Sequence, residues 1–403
     1  MNQRRRRPLV LFPRPDRQDA IAISDVLRTE TFGGIFMLVA AVAGITWANL
    51  HTASYHAVQQ TYLGPLNLQH WAADGLLTVF FFVAGMELKR ELTAGSLRRP
   101  AQAMVPIAAA IGGMIVPAGL YLAINLTMDG GRTDGWAIPM ATDIAFALTV
   151  LALAGPRLPV GLRAFLLTLA IVDDIGAIAV IAVVFTSSLA WAWLGGALAC
   201  ALVWFVLQRA RIDAWPIYLV LFLIAWWCMY SSGVHATITG VLLGLLTRTS
   251  AAETLDPIDR WEHFWRPISS SIAVPIFALM SAGVVVTGPA LQRIVTEPVA
   301  LGIIAGLIVG KVIGISGAAW LAARITKAAL PEGLRWSDVF SVAMLGGIGF
   351  TVALLVTELS FPGDPALLDA AKAAVLIGSV LSAVIATVLL RRRRPSPVPA
   401  WEK

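Results

Sequence analysis

The chain has 403 residues, of which 58% are apolar and only 13% charged, and its mean hydropathy is +0.78. A soluble domain would carry about a quarter charged residues, so a water-soluble globular fold is excluded and the bilayer is the solvent. The net charge of +6 belongs to membrane topology and not to nucleic acid, as the loops make plain.

In chain order, Arg4–Arg7 resemble the basic start of a signal peptide, but the apolar run Leu9–Phe12 stops at Pro13 and is too short for one. Residues 1–30 are expected to be a cytoplasmic tail, and a short helix along the membrane surface within it is left open. Apolar stretches long enough to cross a bilayer then recur at 33–50, 70–88, 101–125, 136–154, 163–186, 188–208, 214–231, 233–247, 268–288, 298–323, 337–358 and 370–390. The divider Ser231, Ser232 and Gly233 is the thinnest. The fold class is therefore an all-α polytopic membrane protein with about twelve transmembrane helices, its membrane domain spanning 31–392 and a C-terminal tail 393–403. The polar segment 51–69 is expected to be an outward-facing hairpin or an irregular loop. Cys200 and Cys228 lie in apolar runs as small packed hydrophobes, with no disulfide framework or metal-ligand spacing around them.

An even number of spans puts both termini on one side. Roughly 26 of the 30 Lys and Arg fall on that side, Arg4–Arg7, Lys89, Arg90, Arg98, Arg99, Arg324, Lys327 and Arg391–Arg394 among them. Arg132, Arg293 and Lys372 fall opposite, and Lys311 is left inside a span. The positive-inside rule places both termini in the cytoplasm and explains the arginine runs as topology anchors.

A charge at the bilayer centre costs at least ~2.5–3.5 kcal/mol on insertion scales and persists where function requires it. Asp143 in the fourth span, Asp173 and Asp174 in the fifth, and Lys311 in the tenth are such charges. Adjacent aspartates on a helix point about 100° apart, so one can face a partner charge while the other faces a cavity. Two carboxylates this close in low dielectric resist joint ionisation without a cation, so protons and cations compete for them. The alternative is a purely structural ion cluster with Lys311 as counter-ion, and three acids against one base favour the functional reading.

The fourth span is interrupted by Pro139 before Ala141, Thr142 and Asp143, and the eleventh by Gly346, Gly347 and Gly349 before Thr351. Breaks at corresponding places in two halves point to an inverted-repeat transporter, with two broken helices crossing at mid-membrane and spans 3–5 paired with 10–12. Gly302, Gly306, Gly310 and Gly314, four apart, make a stripe for close helix packing.

The segments FFFVAGMELKRELTAGSL, GWAIPMATDIAFALTVLAL, LAIVDDIGAI, SGVHATITGVLLG, LGIIAGLIVGKVIGIS, LPEG and GGIGFTVALL, in this order and spacing, resemble the NhaA-type sodium/proton antiporter family from about residue 26 to 392. The resemblance itself implies inverted topology. The resemblance implies that Asp174 alternately holds sodium (or lithium) and protons, and that Asp173 shares the site and pairs with Lys311 when the ion is absent. It implies that Asp143 and Thr142 balance half-helix dipoles and help coordinate the ion. Asp74 and Glu87 would line a cytoplasmic funnel, and Glu262, His263 and His235 match positions linked to pH response. The 51–69 loop matches a segment that joins two subunits into a homodimer. Two departures stand out: the ninth span reads Phe277-Ala278-Leu279-Met280-Ser281 where relatives often have FANAG, and Arg266 stands where some carry a second histidine.

The expected function is secondary active exchange of cytoplasmic sodium or lithium for external protons, electrogenic and pH-dependent. Its setting is a bacterial inner membrane, with no cofactor beyond the transported Na+ (or Li+) and H+. No Walker-type loop is present, so the energy source is an ion gradient. An intramembrane aspartyl protease would need Gly-x-Gly-Asp and Tyr-Asp patterns, which are absent. A sodium-coupled symporter would want more polar groups at the breaks, and a channel a filter or a ring of like charges.

Overall fold

The computed structural model describes residues 17–98, 100–154, 160–186, 189–212, 214–250, 256–285, 288–326 and 335–392. Arg4–Arg7, Arg99, Lys327, the LPEG motif at 330–333, Arg393, Arg394 and the tail 393–403 lie outside them.

Lipid offers no hydrogen bonds, so a crossing backbone must satisfy its own N–H and C=O groups, and each expected span contains helix. The first, α1 (Arg17–Leu50), begins well before residue 33, so helix occupies the second half of the segment expected as a tail. The 51–69 segment divides. Its first part is a helix, α2 (Thr52–Gln59), and only β1 (Tyr62–Leu63) and β2 (Leu66–Asn67) form the hairpin, with Leu63 opposite Leu66 and Gly64 at φ +69 turning the chain. The helix wins in 52–59 because Tyr55 and Gln59, one turn apart, dock onto a helix end across the molecule. The Tyr55 hydroxyl lies 2.8 and 2.7 Å from the Leu279 and Met280 carbonyl oxygens, and Gln59 Nε2 donates to Met280 O at 2.6 Å.

Next come α3 (Leu68–His70), a π-helical segment at Trp71–Leu76 and α4 (Leu77–Thr93), which run on as one helix, then α5 (Pro100–Thr127). A 3-10 turn at Ile138–Met140 precedes α6 (Ile144–Ala154), followed by α7 (Val160–Val184), α8 (Trp191–Arg209), α9 (Trp215–Ser231) and α10 (Thr237–Leu246). The ninth span departs most from expectation. It starts as the amphipathic α11 (Pro257–Ile268), capped by Asp256, and continues through a π segment at Ser269–Ala273 into α12 (Val274–Ser281). It thus starts before 268 and stops short of 288.

The remaining elements are α13 (Gly288–Thr296), α14 (Pro298–Ala305), a π segment at Gly306–Gly310, α15 (Lys311–Thr326), α16 (Trp336–Leu345), α17 (Phe350–Ser360) and α18 (Pro365–Arg391). Among the described residues seven helical segments are long and apolar enough to cross a bilayer singly, and the pair α16–α17, bent by 48°, makes an eighth. The other expected spans are shorter helices (α6, α9 and α10) or the composite α11–α12. The chain is a multi-pass membrane protein.

Packing between α5 and α14–α15 is backbone against backbone. A Cβ on Gly112 or Gly314 would strike the other residue's carbonyl, and one on Gly310 would lie 2.7 Å from Pro117 Cα. The expected glycine stripe is therefore a helix contact surface. One large core joins α5, α6, α7 and α14–α18, while Phe82, Trp204, Tyr218 and Ile258 centre a separate cluster where α4 meets α8–α11. Leu202, Val203, Val206, Val220 and Leu223 on α8 and α9 are exposed, which suits hydrocarbon as the surrounding medium.

Candidate ion-binding site

The two broken spans touch at their breaks. Residues 141–143 leave helical geometry before α6, and 346–349 separate α16 from α17. Across this gap the Thr142 hydroxyl donates to Gly346 O at 2.8 Å and the Asp143 N–H donates to Ile348 O at 2.6 Å. Glycine is needed at 347, where a Cβ would strike the Leu307 carbonyl oxygen, while one on Gly346 would press on the end of the Ile315 side chain and one on Gly349 would lie 3.1 Å from Ala141 O.

The first N–H groups of a helix lack internal partners and carry the positive end of its dipole. A single carboxylate serves two such ends here. Asp143 Oδ1 accepts from Phe146 N at 2.9 Å in the first turn of α6, and Oδ2 accepts from Thr351 N at 3.1 Å in the first turn of α17. Ser379 on α18 accepts from Gly349 N at 3.2 Å. The opposite pole is met by a cation: Lys311 Nζ donates to Met140 O at the end of the 3-10 turn, to Thr142 Oγ1 at 3.0 Å and to Asp173 Oδ2 at 2.7 Å. Asp143, Thr142, Asp173 and Lys311 are all buried.

Asp174 turns away from this cluster, as neighbouring positions on a helix must. It lines a narrow, partly open cavity together with Phe80, Glu87, Leu148, Arg266 and Ser270. Asp173 Oδ1 and Asp174 Oδ1 are both buried and accept no hydrogen bond among the described residues. Two adjacent carboxylates, one neutralised by lysine and one facing a cavity, form an oxygen-rich site that a proton or a small cation would complete.

Breaking the lysine pair has a foreseeable cost. Lys311→Ala leaves Asp173 and the Met140 carbonyl uncompensated, and loss of one partner of a buried pair costs on the order of 3–5 kcal/mol. The melting temperature in detergent should fall clearly, most at alkaline pH, where no proton replaces the lysine's charge on Asp173. A melting curve superimposable on wild type would show that the pair contributes nothing to stability.

The other expected site residues separate into two ends. Glu87 shares the cavity with Asp174, but Asp74 does not. The two lie 13 residues apart on the same continuous helix, about 20 Å along its axis, toward opposite ends of that span. Asp74 sits at the hairpin end, where Oδ1 is 3.2 Å from His235 Nε2, and His235 Nδ1 is 2.7 Å from Thr237 Oγ1. Glu262 is buried at the Glu87 end, paired with Arg266 and, at 3.2 Å, with Arg90. His263 is exposed on the same helix as Glu262. The three residues matched to pH response are therefore not one cluster.

Two groups went unread as site components. Arg266 bridges Glu262 and Glu87, the latter at 2.5 Å, and lines the cavity. Its signal was its spacing of four from Glu262 on an amphipathic helix. Lys372, expected on the outer face as a loop charge, is instead buried in α18 and bonded to Glu358 at 2.8 Å, so Lys311 is not the only lysine within a span. Gln69 Nε2 also donates to Glu358, at 3.2 Å.

With the crossed helix breaks, the doubly capping carboxylate and the buried lysine among paired aspartates described, comparison against known proteins gives the family. The profile of the family described as Na+/H+ antiporter 1 matches residues 24–390. The chain belongs to this family. It is 52% identical to a protein of Cutibacterium acnes named Na(+)/H(+) antiporter NhaA, over 98% of this chain and 94% of the relative. A Streptomyces antibioticus protein of the same name is 54% identical over 92% of this chain and 79% of its own length, and one of Mycolicibacterium smegmatis is 48% identical over 95% and 90%. Every site residue of this Na+/H+ antiporter 1 member described above, from Asp74 to Ser379, falls inside the matched segment.

Proposed function

We propose that this chain exchanges sodium or lithium for protons at Asp173 and Asp174, exporting the cation and admitting protons. The observation that carries the reading is the pair of adjacent buried carboxylates, each with one oxygen lacking a donor, of which Asp174 lines a cavity. A desolvated carboxylate binds either a proton or a cation whose hydration shell is replaced by protein oxygens. If the protein changes its facing only when the site is occupied, one gradient drives the other. Asp143 and Lys311 hold the charge at the crossing neutral while the breaks stay open, so the irregular backbone lines an ion path instead of facing lipid. The names of the relatives support the same exchange.

More protons than sodium ions per cycle would make the exchange electrogenic, and proton competition at the site would make it pH-dependent. The setting is a bacterial inner membrane with both termini in the cytoplasm and the hairpin outside. Two copies would join through the hairpin, whose Tyr62 and Leu63 are 72% and 63% exposed and whose short strands leave open edges. The deciding experiment uses purified protein in vesicles holding a trapped pH dye. Added sodium should elicit proton movement that potassium does not, and equal responses to both cations would refute sodium exchange.

A further inference from the structure

The cavity that reaches Asp174 also holds a fixed cation that the exchange chemistry does not use. Arg266 reaches from α11 to Glu87 on α4 at 2.5 Å and is bonded to Glu262 one turn back on its own helix. Arg90 on α4 covers Glu262 at 3.2 Å and the half-exposed Asp259 at 3.8 Å. The titratable and charged groups around Arg266 include Glu87 and Arg90 from α4, Asp259 and Glu262 from α11, and Asp174 from α7 across the cavity. In these ion pairs two cations face three carboxylates, and a guanidinium stays charged at any working pH.

We propose that Arg266 is a tethered cation that occupies Glu87 at the mouth of the cavity and thereby sets how strongly the cavity draws sodium toward Asp174. The inference rests on the exchange reading above. A sodium ion approaching Asp174 passes Glu87, whose oxygen is already held by the guanidinium, and it passes within the field of that charge. Both effects oppose the ion, and both act through the arginine's charge. They act in partly buried surroundings where unit charges are screened far less than in water. The effect falls on sodium binding from the cavity side, so it belongs in KM and less in the maximal rate.

The test is sodium-dependent proton flux in vesicles across sodium concentration, at several pH values. At alkaline pH, Arg266→Gln should lower the sodium KM roughly three- to tenfold, and the effect should fade as pH falls and protons compete for Glu87, the carboxylate that the guanidinium had held. Arg266→Lys, which keeps the charge, should stay within about twofold of wild type. Glu87→Gln alone should raise KM, because the guanidinium loses one of its carboxylate partners while Glu262 remains, and adding Arg266→Gln to it should reverse that rise. A merely structural arginine would not produce a KM change that vanishes at acid pH and is restored by lysine. A KM for Arg266→Gln at or above wild type at all pH values would overturn the proposal. If that variant does not fold, equal KM values for Glu87→Gln with and without Arg266→Gln would overturn it as well. A wild type without sodium-driven flux would instead overturn the exchange reading itself, so the two failures are distinguishable.

Discussion

Asp174→Asn should abolish sodium-dependent proton flux while the protein still inserts and folds. Asparagine keeps the shape of the side chain but can neither bind nor release a proton, and it presents a neutral amide to the cation. The expected loss is at least about a hundredfold in rate, because the group that alternates between its two ligands is gone. Stability should move the other way. Asp174 Oδ1 is buried without a hydrogen-bond donor, and removing an uncompensated buried carboxylate relieves a desolvation cost. The melting temperature should therefore hold or rise. Asp173→Asn supplies the contrast, since Asp173 Oδ2 binds Lys311 at 2.7 Å and its loss leaves a buried ammonium without its carboxylate, which should lower stability. Flux and melting in the same preparations decide the matter. Near-normal exchange by Asp174→Asn would remove this residue from the mechanism.

What could be read from residues alone follows from what lipid penalises. Asp143, Asp173, Asp174 and Lys311 stand out in apolar runs because charge there is costly, and glycines at 346, 347 and 349 stand out because a spanning helix has little other use for them together. Their mutual geometry was less legible. That one Asp143 carboxylate would cap both α6 and α17 depends on the crossing of two segments some 200 residues apart in sequence. Charges near span ends were the weakest signal, since topology anchors and site residues look alike there. Lys372 read as a boundary charge and Arg266 as a departure where some relatives carry a histidine, yet each is buried in an ion pair. Asp74 and Glu87 share one helix, and nothing local says that their ends face different compartments of the fold. The helix at 52–59 was hidden for a similar reason, as its stabilising partners are the carbonyls of Leu279 and Met280.

Sodium affinity should fall steeply as pH falls, and this tests the competition itself. If the cation binds only the deprotonated Asp173 and Asp174 pair, protons stabilise the empty form. By linkage, acid then weakens sodium binding and alkali restores it. One displaced proton gives about a tenfold rise in Kd per pH unit in the acid limit, and two approach a hundredfold. The slope thus counts protons at the site, independent of any transport assay. It also separates the roles of neighbouring groups. Lys311 bound to Asp173 Oδ2 offers a charge that can replace one proton, so a limiting slope nearer one means the lysine keeps Asp173 ionised throughout. A slope nearer two means that Asp173 takes up its own proton when sodium leaves. At high pH the curve should flatten in either case, because no proton remains to be displaced. Calorimetric titration of sodium from about pH 5.5 to about pH 9 supplies the slope. A Kd constant over that window would sink the shared-site mechanism, even in a protein that moves sodium by another route.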